Sequence, residues 1–130
     1  MASSKEIVQQ AYDAFAAGDV PAVLGMMDDK IEWNEAEGFP LHTGTLIGPQ
    51  AVLEGVFMRL GEIGDDFAVV PSQLVADGDT VVALCSYNWT RPSNRAAVSV
   101  KAAHVWTVRD DKLVAFQQHI DTLKVQQNTD

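Results

Sequence analysis

The amino-acid sequence predicts one α+β domain, in which three helices of the N-terminal half pack on the concave face of a curved, mostly antiparallel sheet. The periodicity of the apolar residues changes along the chain: it is helical over most of the first 61 residues and typical of strands from residue 67 onward. Turn residues divide the second part into hairpins, and the clearest of them is Asp77-Gly78-Asp79. A curved sheet closed by helices forms a cone with an interior.

Local start and stop signals place the three helices. Ser3 and Glu6 form a capping-box pattern, and Asp19 and Pro49 are the start signals of two further helices. The glycines at positions 18 and 61 suit the residue that follows a helix end. The helices are therefore expected over residues 4–18, in a short segment after residue 19, and over residues 49–61.

Alternating apolar and polar residues predict five strands, one before the third helix and four after it. In the first strand, Ile31 and Trp33 share one face, whereas Glu32 and Asn34 share the other. Pro71 cannot donate a backbone hydrogen bond, which marks the second strand as an edge or bulged strand. The strands are expected over residues 30–35, 67–76, 80–90, 96–109 and 112–121, with a loop over residues 35–48.

Length, charge and composition restrict the class of protein. The 130 residues are 47% hydrophobic and 21% charged, which suits a single domain over residues 1–130. The net charge is −9, and no cluster of Lys and Arg offers a surface for nucleic acid or for an anionic membrane. Cys85 is the only cysteine, so no intramolecular disulfide can form, and the first residues lack the apolar segment of a signal peptide. We therefore expect a cytoplasmic protein without nucleic-acid or membrane partners.

The last third of the chain carries the strongest indication of a ligand site. His104 lies among large apolar residues and shares a strand face with Trp106. In the following strand, Phe116, Gln118 and Ile120 share a face. An apolar wall that carries one titratable group and one amide suits a small-molecule pocket. A slightly polar core gives the same pattern, and the residues alone leave both interpretations open.

Five segments along the chain match a known family in their order and spacing. They are AYDAFAAGD at 11–19, IEWNEAEG at 31–38, GPQAVLEGVF at 48–57, DGDTVVAL at 77–84 and AAHVWTVRDDKLVAFQQHIDT at 102–122. Over residues 6–123 the chain thereby resembles the SnoaL-like, ketosteroid-isomerase-related proteins of the nuclear transport factor 2-like superfamily. The resemblance implies their cone-shaped α+β fold and a homodimer that pairs through the outer sheet face, which Ala83, Cys85, Tyr87 and Trp89 would suit.

The resemblance also indicates which catalytic sets are incomplete. Ketosteroid isomerases hold a carboxylate base at the end of the first strand, a position that aligns with Asn34, and an acid in the oxyanion hole, which aligns with His104. Their first-helix tyrosine aligns with Ala11, which leaves Tyr12 out of register and facing elsewhere. In the limonene-type epoxide hydrolases, Asn34 matches a water-positioning asparagine, but Gln118 stands in place of an aspartate. Neither set is present as a whole.

Four polar residues are expected to project into the interior of the cone. Three of them, Glu32, Asn34 and His104, are the candidate catalytic residues, since a carboxylate and an imidazole in an apolar pocket can take pKa values near neutrality. A solvated Glu32 and a core histidine at His104 are the open alternatives. The candidate substrate-binding residues are Gln118, Trp106, Phe116, Ile120 and Phe57.

Three functions are compatible with these residues. The first is a cofactor-free acid/base enzyme of isomerase, cyclase or hydrolase type that acts on a small lipophilic substrate, with His104 as proton donor or oxyanion partner and Glu32 as base. The second is a non-catalytic ligand-binding module, and the third is a dimeric scaffold whose interior is only core. Neither a metal nor another cofactor is expected, because the histidines lack metal-ligand spacing and no phosphate-binding loop is present.

Overall fold

The computed structural model describes residues 2–130 and has one six-stranded sheet with helices packed against it. Among these residues, no helix is both long and apolar enough to cross a membrane. The elements in chain order are α1 (Ser4–Ala16), α2 (Val20–Gly25), β1 (Met27–Asn34), β2 (Leu46–Ile47), α3 (Pro49–Gly55), a 3₁₀ helix (Phe57–Glu62), β3 (Ala68–Asp77), β4 (Thr80–Thr90), β5 (Ala97–Arg109), β6 (Lys112–Ile120) and α4 (Thr122–Gln127).

The strands follow the order β2-β1-β6-β5-β4-β3 across the curved sheet. Among the strands of residues 2–130, β1 and β6 pair in parallel, and the other neighbours are antiparallel. Strand β3 lies at one edge, and its register shifts between Pro71 and Gln73; the prediction of an edge or bulged strand is confirmed, and β3 is both. Helix α1 packs across β3, β4 and β5, while α2 and α3 contact β1. The α+β fold predicted from the sequence is thereby confirmed.

The predicted helix starts are also confirmed. The Ser3 hydroxyl accepts a hydrogen bond from the backbone N–H of Glu6, and the Asp19 carboxylate accepts one from Ala22. After α1, Gly18 has a φ of 75°, a left-handed conformation that glycine adopts without strain. These local signals fix α1 and α2 close to the expected residues because each cap is made within a few residues of chain.

Three elements differ from expectation. The predicted helix over residues 49–61 is two segments, since Val56 has non-helical angles (φ −127°, ψ −66°) and a 3₁₀ helix follows it. Strand β2 lies inside the predicted loop, and its Leu46 side chain packs so closely on Gly55 that an added Cβ would lie 2.9 Å from Leu46 Cδ1. Helix α4 was not expected at all; the Asp121 carboxylate caps it by accepting a hydrogen bond from Lys124.

The expected outer face of β4 is wrong. Ala83, Cys85, Tyr87 and Trp89 are all buried and point into the cone. The larger side chains of this strand thus contribute to the core, which includes two of the three tryptophans on the inward faces of β4 and β5. The residues between them, beginning with Val82 and Leu84, form the outer face instead.

Candidate functional site

A cavity of about 60 Å³ lies between helix α1, the 3₁₀ helix and the concave face of the sheet. Its wall is almost entirely apolar and largely aromatic. The lining residues that retain partial exposure lie at the end of α1, in the 3₁₀ helix and at the start of β3, so the cavity approaches solvent there. They are Phe15, Phe57, Leu60, Phe67 and Val69. The volume is small beside the ~300–1,000 Å³ of pockets for drug-sized ligands.

His104 lies at the floor of the cavity between two tyrosines. Its Nδ1 is 2.6 Å from the Tyr12 hydroxyl, and its Nε2 is 2.6 Å from the Tyr87 hydroxyl. The indole Nε1 of Trp106 donates to the Tyr12 oxygen at 2.9 Å, and the amide Nε2 of Gln118 donates to the Tyr87 oxygen at 2.9 Å. Helix α1 and strands β4, β5 and β6 each supply a member, so tertiary packing holds the network.

Gln118 ties this network to the backbone beyond β1. Its amide oxygen accepts a hydrogen bond of 2.9 Å from the backbone N–H of Ala36, next to Glu35. Gln118 is 1% exposed, and both its amide oxygen and its amide nitrogen form hydrogen bonds inside the protein. This bond holds the segment that carries Glu35 against the floor of the cavity.

Glu35 is the one carboxylate among the residues that line the cavity. It is 6% exposed, and its Oε1 accepts a hydrogen bond of 3.3 Å from Trp33 Nε1. Its Oε2 is buried without a hydrogen-bond partner. Within residues 2–130, Trp89 Nε1 is the other such buried side-chain atom, but Trp89 does not line this cavity. Glu35 thus places an unused acceptor in an apolar space.

Burial shifts the two main titratable groups in opposite directions. Desolvation lowers the pKa of His104 from 6.5 to about 3, so the imidazole is neutral at pH 7. Desolvation raises the pKa of Glu35 from 4.5 to about 7, against the opposing effect of the Trp33 hydrogen bond. It also raises the pKa of Tyr12 and of Tyr87. At neutral pH, Glu35 is the group in this cavity that exchanges a proton readily.

Five of the sequence-predicted site residues line the cavity, and their functional roles stay predictions. His104 and Gln118 form its polar floor, while the other three form part of its aromatic wall. The latter are Trp106, Phe116 and Phe57. The ring centroids of Trp106 and Phe116 are 4.7 Å apart, and Phe57 packs edge-on to Trp33.

Three predicted positions are wrong. Glu32 is exposed to solvent, and the half-buried Asn34 accepts a hydrogen bond of 2.7 Å from the Thr45 hydroxyl; neither lines the cavity. The physical reason is the two-residue period of β1, which turns Ile31 and Trp33 inward and therefore Glu32 and Asn34 outward. Ile120 lies beyond Gln118 at the end of β6 and packs on the core outside the cavity lining.

Sequence reasoning missed three polar residues of the site, namely Glu35, Tyr12 and Tyr87. The expectation that Tyr12 faces elsewhere is wrong, since Tyr12 and Ala11 both line the cavity. Glu35 could have been found from the apolar face of β1, because that face continues from Trp33 to the residue two positions later. The chain therefore has a carboxylate after the first strand and a first-helix tyrosine, each one residue beyond the position aligned with the isomerases.

The site offers no donor set for a metal ion. Across residues 2–130, no three His, Cys, Asp or Glu side chains are grouped so that they could hold one. Cys85, the sole thiol near His104, has its Sγ 3.8 Å from Nε2. Burial raises the pKa of this thiol to about 12, so it stays protonated and is a poor metal ligand.

Solved structures share this fold along nearly the whole chain. An NTF2-like protein from Burkholderia thailandensis is 34% identical, with 98% of each chain covered and a TM-score of 0.92. TerC, crystallised with polyporic acid, is 23% identical, with 96% of each chain covered and a TM-score of 0.85. A protein from a Jannaschia species that carries the name of a SnoaL-like polyketide cyclase is 16% identical, covering 97% of this chain and 90% of its own, with a TM-score of 0.81. The last two similarities concern the fold alone.

A family model identifies a specific family within this widely shared fold. Residues 8–116 match the model of the SnoaL-like domain, which is most of the chain. The protein therefore belongs to the SnoaL-like domain family, within the NTF2-like fold. No curated protein matches the sequence.

Proposed function

We propose that this protein is a cofactor-free enzyme that moves a proton at a carbon atom next to a carbonyl group of a small, largely apolar molecule. Glu35 is the base, a tyrosine hydroxyl stabilises the oxyanion, and His104 positions the tyrosines. One observation carries the proposal: a buried carboxylate with an unpartnered oxygen shares an apolar cavity with a cluster of tyrosine hydroxyls. A site of this composition combines a base and an oxyanion donor with exclusion of water.

The proposed reaction balances without any added reactant. Glu35 takes the proton from carbon, the C–H electron pair forms the C=C bond, and the carbonyl oxygen becomes an enolate that accepts a hydrogen bond from a tyrosine. Glu35 then returns the proton to the same carbon, which exchanges hydrogen, or to another carbon, which isomerises the molecule. The pKa of Glu35 near 7 supports this role, because a base works best when its pKa lies near the working pH.

The test measures deuterium uptake next to the carbonyl of butanone, acetoin and cyclohexanone in heavy water by proton NMR. We expect exchange catalysed by the wild type, a rate that rises with pH until it levels off above about pH 7, and at least a ~100-fold loss in Glu35→Gln. Glu32→Gln is the matched control, since it makes the same chemical change on the exposed face of β1. Binding without exchange would favour a non-catalytic ligand-binding module.

A homodimer is the second part of the proposal, and the outer sheet face supports it. Val75, Val82 and Val105 lie side by side across β3, β4 and β5, and Leu84 pairs with Ala103 beside them. Val75 is 51% exposed and Leu84 is 42% exposed. Apolar surface in contact with water is unfavourable, and a second copy of the chain that covers this face would bury it. This apolar group is the face opposite to the cavity.

Light scattering after size exclusion tests the dimer. We expect twice the chain mass for the wild type and a shift toward the monomer mass for Leu84→Asp. Ile47→Asp is the control, because Ile47 is equally apolar and 54% exposed but lies on β2 at the other edge of the sheet. A wild-type monomer at micromolar concentration would overturn the dimer and leave the proposed chemistry intact.

A further inference from the structure

The hydrogen atoms of the cavity floor do not all find partners. A neutral imidazole has one N–H group and one lone pair. His104 lies 2.6 Å from a hydroxyl on each side, so one tyrosine donates to it and the other accepts from it. The tyrosine that accepts from His104 cannot use its own hydrogen in that bond. One phenol hydrogen is therefore left over.

This count holds for both tautomers of His104. The Tyr12 oxygen already accepts from Trp106, and the Tyr87 oxygen already accepts from Gln118. With the proton on Nδ1, Tyr87 donates to His104 and the Tyr12 hydrogen is free. With the proton on Nε2, Tyr12 donates to His104 and the Tyr87 hydrogen is free. The cavity thus presents one free donor in either case.

Glu35 favours the second arrangement. The amide of Gln118 hydrogen-bonds both the Tyr87 hydroxyl and the backbone N–H of Ala36, the residue after Glu35, so Tyr87 is the tyrosine that is tied to the segment carrying this carboxylate. A carboxylate attracts the hydrogen end of a nearby hydroxyl, so the free hydrogen is best placed on Tyr87. The two unused groups of the site are then complementary, with one donor at Tyr87 and one acceptor at Glu35 Oε2.

We propose that the cavity takes a neutral ligand in which a hydrogen-bond donor stands next to an acceptor, such as a hydroxyl group beside a carbonyl group. The carbonyl oxygen accepts from Tyr87, and the hydroxyl donates to Glu35 Oε2. The ligand is uncharged because the described residues that line the cavity include no Lys or Arg to neutralise an anion. This inference rests on the proposed function, since it assigns the substrate class of the same site.

The lone pairs of Glu35 Oε2 are sufficient for the proposed chemistry. A carboxylate oxygen has two lone pairs, so Oε2 can accept the hydroxyl hydrogen and take a proton from the carbon that bears the hydroxyl. Tyr87 is then the catalytic residue that contacts the oxyanion. Tyr12 is a positioning residue that acts through His104.

Three four-carbon probes separate the two contacts. Acetoin has both the hydroxyl and the carbonyl, butanone has only the carbonyl, and 2-butanol has only the hydroxyl. Binding is followed by NMR through the indole N–H signal of Trp106, which donates to Tyr12 in the floor of the cavity. We expect acetoin to bind about tenfold tighter than either partner compound, since each hydrogen bond that involves a buried polar group is worth about that factor.

Variants assign the contacts to residues. Tyr87→Phe should remove the preference for acetoin over 2-butanol, whereas Tyr12→Phe should retain it. Glu35→Gln should weaken acetoin relative to butanone, and Glu32→Gln should not. Nitrogen-15 NMR of His104 in the wild type needs no variant and should show the proton on Nε2. A proton on Nδ1 would overturn the assignment to Tyr87.

Binding and turnover fail separately. Equal affinities for the three probes, or no acetoin binding up to the solubility of the probes, would overturn this inference even if ketones are exchanged. A clear preference for acetoin without deuterium uptake into acetoin in heavy water would leave the inference standing and would count against the proposed enzyme.

Discussion

Glu35 and His104 lie in the same cavity and are buried to nearly the same extent, with exposures of 6% and 4%, but their hydrogen bonding differs. Both ring nitrogens of His104 have a tyrosine partner, whereas one oxygen of Glu35 has none. His104 is thus held neutral with both ring nitrogens hydrogen-bonded, and burial brings the pKa of Glu35 near neutrality with one oxygen unpartnered. His104 therefore has the properties of a structural residue of the site, whereas Glu35 has those of a group that can gain or lose a proton in it.

The two groups also give opposite dependences of stability on pH. A raised pKa in the folded state means that Glu35 contributes stability below its unfolded pKa of 4.5, and this is lost as the pH rises through about 7. A lowered pKa means that His104 contributes stability above its unfolded pKa of 6.5, and this is lost as the pH falls toward about 3. Between pH 4.5 and 6.5 the two slopes have opposite signs and offset each other.

The largest expected effect is the loss of stability in acid that His104 causes. Between pH 6.5 and about 3, the unfolded chain binds a proton that folded His104 does not, which lowers the free energy of unfolding by up to about 5 kcal/mol. The difference in unfolding free energy between wild type and His104→Leu, obtained by urea unfolding across this range, measures it, because the slope from Glu35 is common to both proteins. His104→Leu should lack this slope, while His119→Leu, on an exposed residue of β6, should retain it. Equal slopes in wild type and His104→Leu would contradict the neutral, buried state of the imidazole.

Glu35 should give the next largest effect, with the opposite sign. Raising the pH from 4.5 to about 7 should cost the wild type about 3 kcal/mol of unfolding free energy through this residue, because the buried carboxyl group loses its proton. Glu35→Gln removes the charge and keeps the shape, so the variant should be more stable than the wild type at pH 8. Glu32→Gln should show the same pH dependence of the unfolding free energy as the wild type. A Glu35→Gln variant that is less stable than the wild type at pH 8 would contradict the raised pKa of Glu35.

The sequence predicts the fold because its signals are local and mutually consistent. The caps at Ser3 and Asp19, the hairpin at Gly78 and the period of β4 each involve neighbouring residues, and all agree with the structure. Strand β2 was missed because two residues are too short for a periodic pattern, and helix α4 was missed because its cap residue, Asp121, was included in the predicted strand over residues 112–121. Their positions depend on tertiary contacts such as the bond from Gln126 to the Gly38 carbonyl.

The site is less predictable because an alignment error of one residue in a strand exchanges the side chains that face the cavity with those that face solvent. The alternation of β1 was predicted correctly, but the resemblance placed Asn34 in the site and so directed the wrong face inward. The apolar face of Ile31 and Trp33 was the better guide, since it leads to Glu35. The contacts of His104 with Tyr12 and Tyr87 span 92 and 17 residues, and no local pattern contains such pairs.

The smallest expected effect is an energetic coupling between the two tyrosines. Tyr12→Phe leaves Trp106 Nε1 and one nitrogen of His104 without a partner, and Tyr87→Phe does the same to Gln118 Nε2 and the other nitrogen. Each variant should lose about 1–3 kcal/mol of unfolding free energy. The hydroxyls act on one imidazole whose tautomer must suit both, so the loss of stability in the double variant should differ from the sum of the two single losses by about 1 kcal/mol.

A double-mutant cycle by urea unfolding at pH 8, where His104 is neutral in both folded and unfolded chains, measures this coupling. Strict additivity would mean that each tyrosine bonds to His104 independently, and the single free hydrogen that the ligand proposal needs would lose its support.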